Sequence, residues 1–308
     1  MVVESASDAF RPGDRVLGLF GGAFGSVVVV SEHMLVPIPA GWSFVQAASV
    51  PVAFVTAFYA LVDVAGVRRG ESVLVHAAAG GVGSAAVQVA AHLGAEVYAT
   101  ASPWKWSAVP LPQQRLASSR TTDFVDEFPP VDVVLNSLSG EFVDASLRML
   151  KSGGRFVEMG KTDIREPQGV DYTAFDLGVV DQARVGQILR TVMGLFASGV
   201  FRLSPVRPFD ARETRDALRF MAQARHVGKV VVTMPRVVSG RVLITGGGGV
   251  LGSQVARHLL ETTPASVLLL SRTGADGGLG AEFGDRVEAV ACDASDRAAL
   301  AAVLQGRA

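Results

Sequence analysis

The sequence is poor in cysteine, and its charges nearly cancel. Cys292 is the sole cysteine among 308 residues, which excludes an internal disulfide and any metal site built from several thiolates. Lys and Arg number 28 against 29 Asp and Glu, so the composition favours neither nucleic acid nor an acidic membrane as a partner. No run of 18 or more apolar residues could span a bilayer, and no apolar signal-peptide stretch opens the chain. We therefore expect a cytoplasmic protein with no nucleic-acid partner, no membrane partner and no bound metal.

Both ends suggest a piece of a longer protein. Val2 and Val3, directly after Met1, are typical of a strand without a lead-in. Residues 298–304 are typical of a helix that stops shortly before the last residue. We expect a fragment.

Short β-type runs broken by Gly and Pro fill residues 1–53. Residues 13–16 predict a turn into a strand, and the β-branched run at residues 26–30 predicts another strand. Together they indicate part of a small β barrel or sandwich. A helix is then expected from Phe54 to a capping glycine at Gly66.

From Ser72 onward the hydrophobic pattern alternates between strands and helices. The expected elements are strands at 72–76, 96–100, 131–136 and 155–159, and helices at 84–93, 142–150 and 188–198. This alternation predicts an α/β fold with a Rossmann doubly wound parallel sheet over residues 54–200. Residues 201–235 add strands at 206–209 and 229–233 around a helix at 212–224, which we expect to return to the N-terminal β region.

A second βαβ pattern follows a linker expected at residues 236–240. Its strand runs from Arg241 to Thr245, a helix extends to Leu260, and another strand is expected at residues 266–270. We interpret residues 241–308 as the start of a second Rossmann fold.

The first glycine-rich turn, residues 77–83, lies between a predicted strand and a predicted helix. Small residues there let the backbone approach a pyrophosphate, while the positive end of the helix holds its charge. The candidate cofactor residues of this turn are Gly80, Gly81, Val82 and Gly83. The alternative is tight helix–sheet packing with no ligand.

The end of the second strand indicates which cofactor binds. An NAD site usually places an Asp or Glu there to bind the ribose diol, and this sequence has none. It offers hydroxyls and cations instead, at Thr100, Ser102, Lys105 and Arg120. Donors without a carboxylate suit a 2′-phosphate, so the sequence favours NADPH over NADH. For Lys105 alone, the alternative is a solvated surface lysine.

The second glycine-rich turn carries a dinucleotide-binding fingerprint, with glycines at Gly247, Gly249 and Gly252. Its second strand ends at Ser271 and Arg272, again without an acid, which again favours NADP(H). Asp293 follows the next predicted strand. It could reach an adenine, or it could only cap the helix at residues 298–304, and the sequence leaves both open.

An ordered set of motifs adds a family resemblance. The motifs occupy residues 51–57, 76–83, 118–120, 136–138, 158–163 and 224–229. Together they resemble the enoyl reductase domain of modular type I polyketide synthases, a zinc-free branch of the medium-chain dehydrogenases/reductases. From Arg241 onward the chain resembles the opening of a ketoreductase domain, a short-chain dehydrogenase/reductase.

The resemblance implies a fold and a reaction. The fold is a GroES-like β domain, partial over residues 1–53, split in sequence around the Rossmann domain. In the reaction, NADPH delivers hydride to the β-carbon of an α,β-unsaturated acyl thioester, and the α-carbon is then protonated. The implied partners are an acyl carrier protein bearing a phosphopantetheine-linked acyl chain and neighbouring polyketide synthase domains.

The resemblance also implies roles for single residues. Lys161 is the candidate proton donor and Asp176 its carboxylate partner, although an ordinary surface ion pair would look the same in sequence. Thr56 is expected near the nicotinamide ribose, and Asn136 where the cofactor meets the sheet edge. Lys229 either lies near the site or ends a strand in solvent.

The sequence also departs from the family pattern. The family begins several dozen residues earlier, residues 106–116 are shortened and broken by Pro110 and Pro112, and the ketoreductase part ends before its catalytic residues. Two hypotheses follow: an NADPH-dependent enoyl reductase, or a cofactor-binding or structural remnant without catalysis. A free-standing quinone reductase is disfavoured by the motif at residues 159–163.

Overall fold

The computed structural model describes residues 1–25, 27–234 and 240–305. The chain folds as two compact units, Met1–Met234 and Pro235–Ala308. Apart from Gly240, the expected linker at residues 236–240 lies outside the described residues, as does Ser26 at the start of an expected strand.

The N-terminal β region is smaller than the sequence indicates. Strands β1 (Val16–Gly18) and β2 (Leu35–Pro37) form one antiparallel pair, in which Leu17 lies opposite Val36. The strands expected at Val2 and Val3 and at residues 27–30 are wrong. Val29 is fully exposed and only Val30 packs against the core, so most of the β-branched run lacks the packed neighbours that favour a strand.

Helices α1 (Phe44–Ala48) and α2 (Pro51–Phe58) lead into one π-helical stretch at Tyr59–Val64. Taken together, Phe44–Val64 is long and apolar enough to cross a membrane by length and composition alone, a feature that polar interruptions hide from a search for unbroken apolar runs. Val55 and Leu61 are fully buried in the core of the unit, as expected for the core helix of a folded domain. Gly66, at φ +58°, ends the helix as expected.

A six-stranded parallel sheet forms the centre of the first unit. Its strands are β3 (Ser72–Val75), β4 (Glu96–Ala101), β5 (Leu116–Ser118), β6 (Val131–Asn136), β7 (Leu150–Glu158) and β8 (Asp171–Ala174). Their order in the sheet is β5-β4-β3-β6-β7-β8, which is the doubly wound dinucleotide-binding order. The order reverses beside β3, and the glycine-rich turn leaves β3 at that point. The expected Rossmann fold is confirmed.

Helices cover both faces of this sheet. They are α3 (Gly81–His92), α4 (Phe124–Glu127), α5 (Glu141–Arg148) and α6 (Gln182–Ala197). Val73 and Val75 of β3 point into the cluster that includes α2, α3 and α6. Leu74 points to the other face, where it meets Phe124 and Val143. Because successive side chains of a strand alternate between faces, a strand buried on both sides is apolar throughout.

The last part of the first unit contains β9 (Val206–Asp210), α7 (Thr214–Ala222) and β10 (Lys229–Thr233). Strands β9 and β10 pair in parallel as a separate two-stranded sheet. Helix α1 packs against both of them and against β1, so α1 links the two β regions.

The second unit is a three-stranded parallel sheet in the order β11-β12-β13. It runs through β11 (Arg241–Thr245), α8 (Val250–Thr262), β12 (Ser266–Ser271), α9 (Leu279–Phe283), β13 (Val287–Ala291) and α10 (Arg297–Leu304). Ala256 and Leu260 of α8 pack on Val267 and Leu269 of β12. This is the expected start of a second Rossmann fold.

Candidate cofactor site

The first glycine turn is closed so tightly that one of its positions admits only glycine. A Cβ at Gly83 would lie 2.3 Å from the Ala77 carbonyl oxygen and 2.7 Å from Ala78 Cα. Ala77 itself adopts φ +52°, and its carbonyl accepts a hydrogen bond from Gly80 N at 2.8 Å. Helix α3 therefore begins directly against the end of β3. Its first-turn amides have no partners within the helix and suit an anion.

Two side chains from neighbouring strand ends meet beside this turn. Arg120, after β5, donates from Nε to Ser102 Oγ, after β4, at 3.2 Å. Lys105 is close enough for the positive charge of Arg120 to lower its pKa, although burial lowers that pKa more. The structure thus brings Ser102, Lys105 and Arg120 together, at the place where the sequence predicts recognition of a 2′-phosphate.

Lys105 is not the solvated surface lysine of the alternative reading, because only 8% of it is exposed. Its ammonium donates to the backbone carbonyls of Ala224 and His226, each at 2.6 Å. Trp104, largely exposed, lies beside the same ammonium, with its ring centroid 4.8 Å from Nζ. Trp106 instead turns inward, and its indole donates to the Ala101 carbonyl.

The expectation for Thr100 requires a correction. Thr100 is fully buried, and its hydroxyl lies 2.8 Å from His76 Nδ1. His76 Nε2 lies 2.8 Å from Ser146 Oγ, which donates its own proton to the Phe142 carbonyl. Ser146 must therefore accept from Nε2–H, so Thr100 donates to Nδ1. The hydroxyl of Thr100 faces the core and is not available to a nucleotide.

Burial lowers the pKa of His76 to about 3, so its ring stays neutral inside this network. His76, directly after β3, is therefore a packed core residue and not a base.

The carboxyl ends of β6 and β7 carry a buried amide–carboxylate pair. Asn136 Nδ2 donates to Glu158 Oε2 at 2.6 Å and to the Leu138 carbonyl at 3.0 Å. The other Glu158 oxygen accepts from Gly160 N at 2.5 Å, and both side chains are fully buried. The Asn136 amide therefore fixes the loops at this edge through protein partners. Glu158 was missed by sequence reasoning, although an acid ending an apolar buried strand is a readable signal.

Lys161 and Asp176 form the expected ion pair. Lys161 Nζ lies 3.2 Å from Asp176 Oδ2 and donates to the Phe175 carbonyl at 2.7 Å. The Gly178 amide and then Lys161 hold the pKa of Asp176 below its usual value. The side chains are 54% and 59% exposed, so the geometry alone suits either a proton donor or a surface pair.

Lys229 lies against the glycine turn, whereas Thr56 is placed only by the packing of its helix. Thr56 is half-buried on α2, which packs against α3. Lys229 begins β10, and a Cβ on Gly81 would lie 2.3 Å from Lys229 Cδ. Burial lowers the pKa of the Lys229 ammonium. Lys229 therefore lies half-buried against the start of α3, and its role beside a cofactor stays a prediction.

The second glycine turn repeats this close packing within the second unit. A Cβ on Gly252 would lie 2.3 Å from the Gly246 carbonyl oxygen, and one on Gly247 would lie 2.6 Å from Leu269 Cβ. Gly249 is the N-cap of α8. Ser271 Oγ is buried and has no hydrogen-bond partner within residues 240–305, which fits a site for a polar ligand group.

Asp293 and Arg272 lie near each other beyond the ends of the second unit's strands. The Ser295 hydroxyl and amide, followed by the charge of Arg272, lower the pKa of Asp293. Asp296, not Asp293, caps α10 by accepting from Ala298 N and Ala299 N. The capping alternative for Asp293 is therefore wrong.

Known proteins resemble both units. Residues 113–232 match the family described as zinc-binding dehydrogenase, and residues 240–307 match the KR domain. The crystal structure of CurK enoyl reductase is 40% identical, with a TM-score of 0.70 over 74% of this chain and 74% of that one. The chain belongs to the enoyl reductase family. Enoyl reductases and KR domains are nicotinamide-dependent oxidoreductases.

Curated relatives of this chain include polyketide synthase proteins. The spectinabilin polyketide synthase system protein NorB of Streptomyces orinoci is 53% identical over 99% of this chain. The pikromycin polyketide synthase component PikAII of Streptomyces venezuelae is 51% identical over 95%. The chain spans only 15% of the length of the first and 8% of the second.

The zinc in the matched family's description has no counterpart in the described side chains of this chain. Over residues 1–25, 27–234 and 240–305, no group of three or more His, Cys, Asp or Glu residues could hold a metal ion. The lone cysteine, Cys292, is buried in the second unit. These residues do not fit a zinc site.

Proposed function

We propose that this chain is the NADPH-binding enoyl reductase region of a cytoplasmic polyketide synthase. Its reaction would saturate the carbon–carbon double bond of an α,β-unsaturated acyl thioester carried on the phosphopantetheine of an acyl carrier protein. The observation that carries the proposal is the meeting of Arg120 and Ser102 beside the glycine turn, 3.2 Å apart, at strand ends that bear no acid.

The choice of NADPH follows from charge at the end of β4. A 2′-phosphate needs cations and hydrogen-bond donors, whereas a ribose diol is usually bound by a carboxylate. Ser102, Lys105 and Arg120 offer the first set. Thr100 does not contribute to this set, because its hydroxyl donates a hydrogen bond to His76 Nδ1. In the second unit, Ser271 would supply a hydroxyl and Arg272 a cation for the same phosphate group, and Asp293 lies near Arg272.

The residues of the site have separable tasks. NADPH, when bound, supplies hydride for the β-carbon of the acyl chain. The first-turn amides of Gly81, Val82 and Gly83 would hold the pyrophosphate at the positive end of α3. Thr56 on α2, packed against α3, would face the nicotinamide side, and the Asn136–Glu158 pair would fix the loops at the sheet edge.

Lys161 would supply the proton for the α-carbon. The Phe175 carbonyl and the Asp176 carboxylate hold its ammonium in one place, so that a proton donor is positioned as negative charge develops on the acyl chain. Hydride at the β-carbon and a proton at the α-carbon complete the reduction.

A second candidate is a remnant that binds the cofactor without catalysis. It is supported by the exposure of Lys161 and Asp176, each more than half accessible to water. A proton donor that acts on an enolate is expected to be enclosed with its substrate.

The two candidates are separated by binding and turnover on one preparation. Purified protein would be titrated with NADPH and NADH by fluorescence, then supplied with NADPH and crotonyl thioester. Saturable NADPH binding with consumption of NADPH supports the reductase. Binding without consumption supports the remnant, and absence of NADPH binding contradicts both.

A further inference from the structure

We propose that Lys105 is a positioning residue that holds the loop at residues 224–228 against the glycine turn and thereby places Lys229 at the start of α3. The inference rests on the proposed cofactor site. It assigns Lys105 a task that is independent of any 2′-phosphate.

The ammonium of Lys105 is anchored on the loop. It lies 2.6 Å from the carbonyl oxygens of both Ala224 and His226, more than one hundred residues further along the chain. An ammonium has three donors, so these bonds use two and leave one for another acceptor. A buried charge is costly unless its donors are paired, which makes the two carbonyls a condition for burying Lys105.

The loop needs such an anchor because its backbone is strained. Ala224 adopts φ +50°, a left-handed conformation that residues with a Cβ rarely adopt. His226 Nδ1 is buried and has no hydrogen-bond partner in the part of the chain that the structure describes. Lys105 holds the carbonyls of both residues, so it stabilises a segment that contains a left-handed Ala224 and an unpartnered His226 Nδ1.

The other end of the loop contacts the glycine turn directly. Gly228 N donates to the Ala79 carbonyl at 2.8 Å, and Gly228 forms a parallel bridge with Gly80. The next residue is Lys229, whose Cδ lies 2.3 Å from the position of a Cβ on Gly81. One short loop therefore connects the hydrogen bonds of Lys105 to the place where a pyrophosphate would bind.

Arg120 provides a matched control. It is a cation of the same cluster, but it is exposed, and its hydrogen bonds among the described residues go to Ser102 and Ser118. Arg120 would contact a 2′-phosphate without touching the loop. Loss of Arg120 should therefore weaken the affinity for NADPH and leave the affinity for NADH unchanged. Loss of Lys105 should weaken the affinity for both nucleotides.

The first test uses no nucleotide. Hydrogen exchange would be followed in peptides covering residues 224–230 in the wild-type protein, Lys105→Met and Arg120→Gln. We expect exchange in this segment to become about tenfold faster in Lys105→Met, as loss of charge-assisted bonds implies, and to stay unchanged in Arg120→Gln. Equal exchange in all three proteins, or equal acceleration in both variants, overturns the proposal. Peptides from β6 report whether either variant unfolds globally.

The second test measures the dissociation constants of NADPH and NADH. Lys105→Met should weaken both, and its effect on NADH should vanish when Lys229→Met is already present. Lys105→Arg, which keeps a charged donor, should restore part of the NADH affinity. Unchanged NADH affinity in Lys105→Met overturns the proposal and leaves Lys105 as a phosphate ligand only. A wild-type protein that binds neither nucleotide contradicts the proposed function, while the exchange comparison still decides the role of Lys105.

Discussion

Arg120 Nε lies 3.2 Å from Ser102 Oγ, which joins the ends of β4 and β5 next to the first glycine turn. In the proposed function, this guanidinium would lie beside the 2′-phosphate of NADPH, because a dinucleotide-binding sheet presents its adenosine ribose pocket there. A carboxylate in place of the Ser102 hydroxyl would accept hydrogen bonds from the ribose diol of NADH. The same negative charge would repel the 2′-phosphate of NADPH.

We therefore predict that Ser102→Asp reverses the nucleotide preference. NADPH binding should weaken at least about tenfold, while NADH binding stays equal or improves. Fluorescence titration with both nucleotides measures this, with Ser102→Ala as the control that removes the hydroxyl without adding charge. Parallel weakening of both nucleotides in Ser102→Asp would argue against a 2′-phosphate at this position.

Gly83 and Gly194 should respond in opposite directions to alanine. In Gly83→Ala the new Cβ meets Ala77 backbone oxygen at 2.3 Å, so we expect a loss of about 1–3 kcal/mol in unfolding free energy together with weaker nucleotide binding. Gly194 lies inside α6 with nothing within 4 Å of its Cβ position, so Gly194→Ala should gain about 0.5–1 kcal/mol. Urea unfolding measures both. Equal stability of Gly83→Ala and the wild-type protein contradicts the tight turn.

The buried His76 predicts a loss of stability in acid. Its pKa is about 3 in the folded protein and near 6.5 when unfolded, so between these values the unfolded chain binds a proton that the folded chain does not. This contribution is present above pH 6.5 and is lost as the pH falls towards 3, by up to about 1.4 kcal/mol per pH unit. The His76→Asn variant should be less stable at pH 7. Between pH 6 and pH 4.5 it should lose less unfolding free energy than the wild-type protein, because its unfolding takes up roughly one proton fewer. Identical slopes in the two proteins would rule out a neutral buried His76.

Lys161→Met should reduce turnover and leave cofactor binding intact. We expect turnover on a crotonyl thioester to fall by about 100-fold or more, because the proton donor is lost, with an unchanged NADPH dissociation constant. Asp176→Asn should reduce turnover less, since the Phe175 carbonyl still holds the ammonium at 2.7 Å. Full activity in Lys161→Met would show that the pair is an ordinary surface contact.

The sheet was predictable where its strands are short apolar runs bounded by turns. The strands at Val131–Asn136, Lys229–Thr233 and Arg241–Thr245 have the bounds that the sequence predicts. Strand β8 was missed because Asp171–Ala174 is polar and only partly buried at the edge of the sheet. The strand predicted at residues 27–30 does not form, because β-branched residues favour a strand only when a partner strand is present.

The candidate site was predictable in its glycines and cations but not in the direction of its side chains. In a sheet covered on both faces, strand periodicity does not tell which residues point at a ligand, and Thr100 points into the core. Lys105 could not be assigned its partners, because Ala224 and His226 follow more than one hundred residues later. The pairing of Asn136 with Glu158 likewise depends on strand order rather than on local sequence.

Transfer of a label from the cofactor tests the central claim most directly. The protein would be incubated with NADPH deuterated at the nicotinamide C4 hydride position and with crotonyl acyl carrier protein, and the acyl product would be analysed by mass spectrometry. The proposed function predicts a saturated butyryl product that carries deuterium at its β-carbon. A protein that binds NADPH but returns only unlabelled crotonyl thioester would contradict an active enoyl reductase.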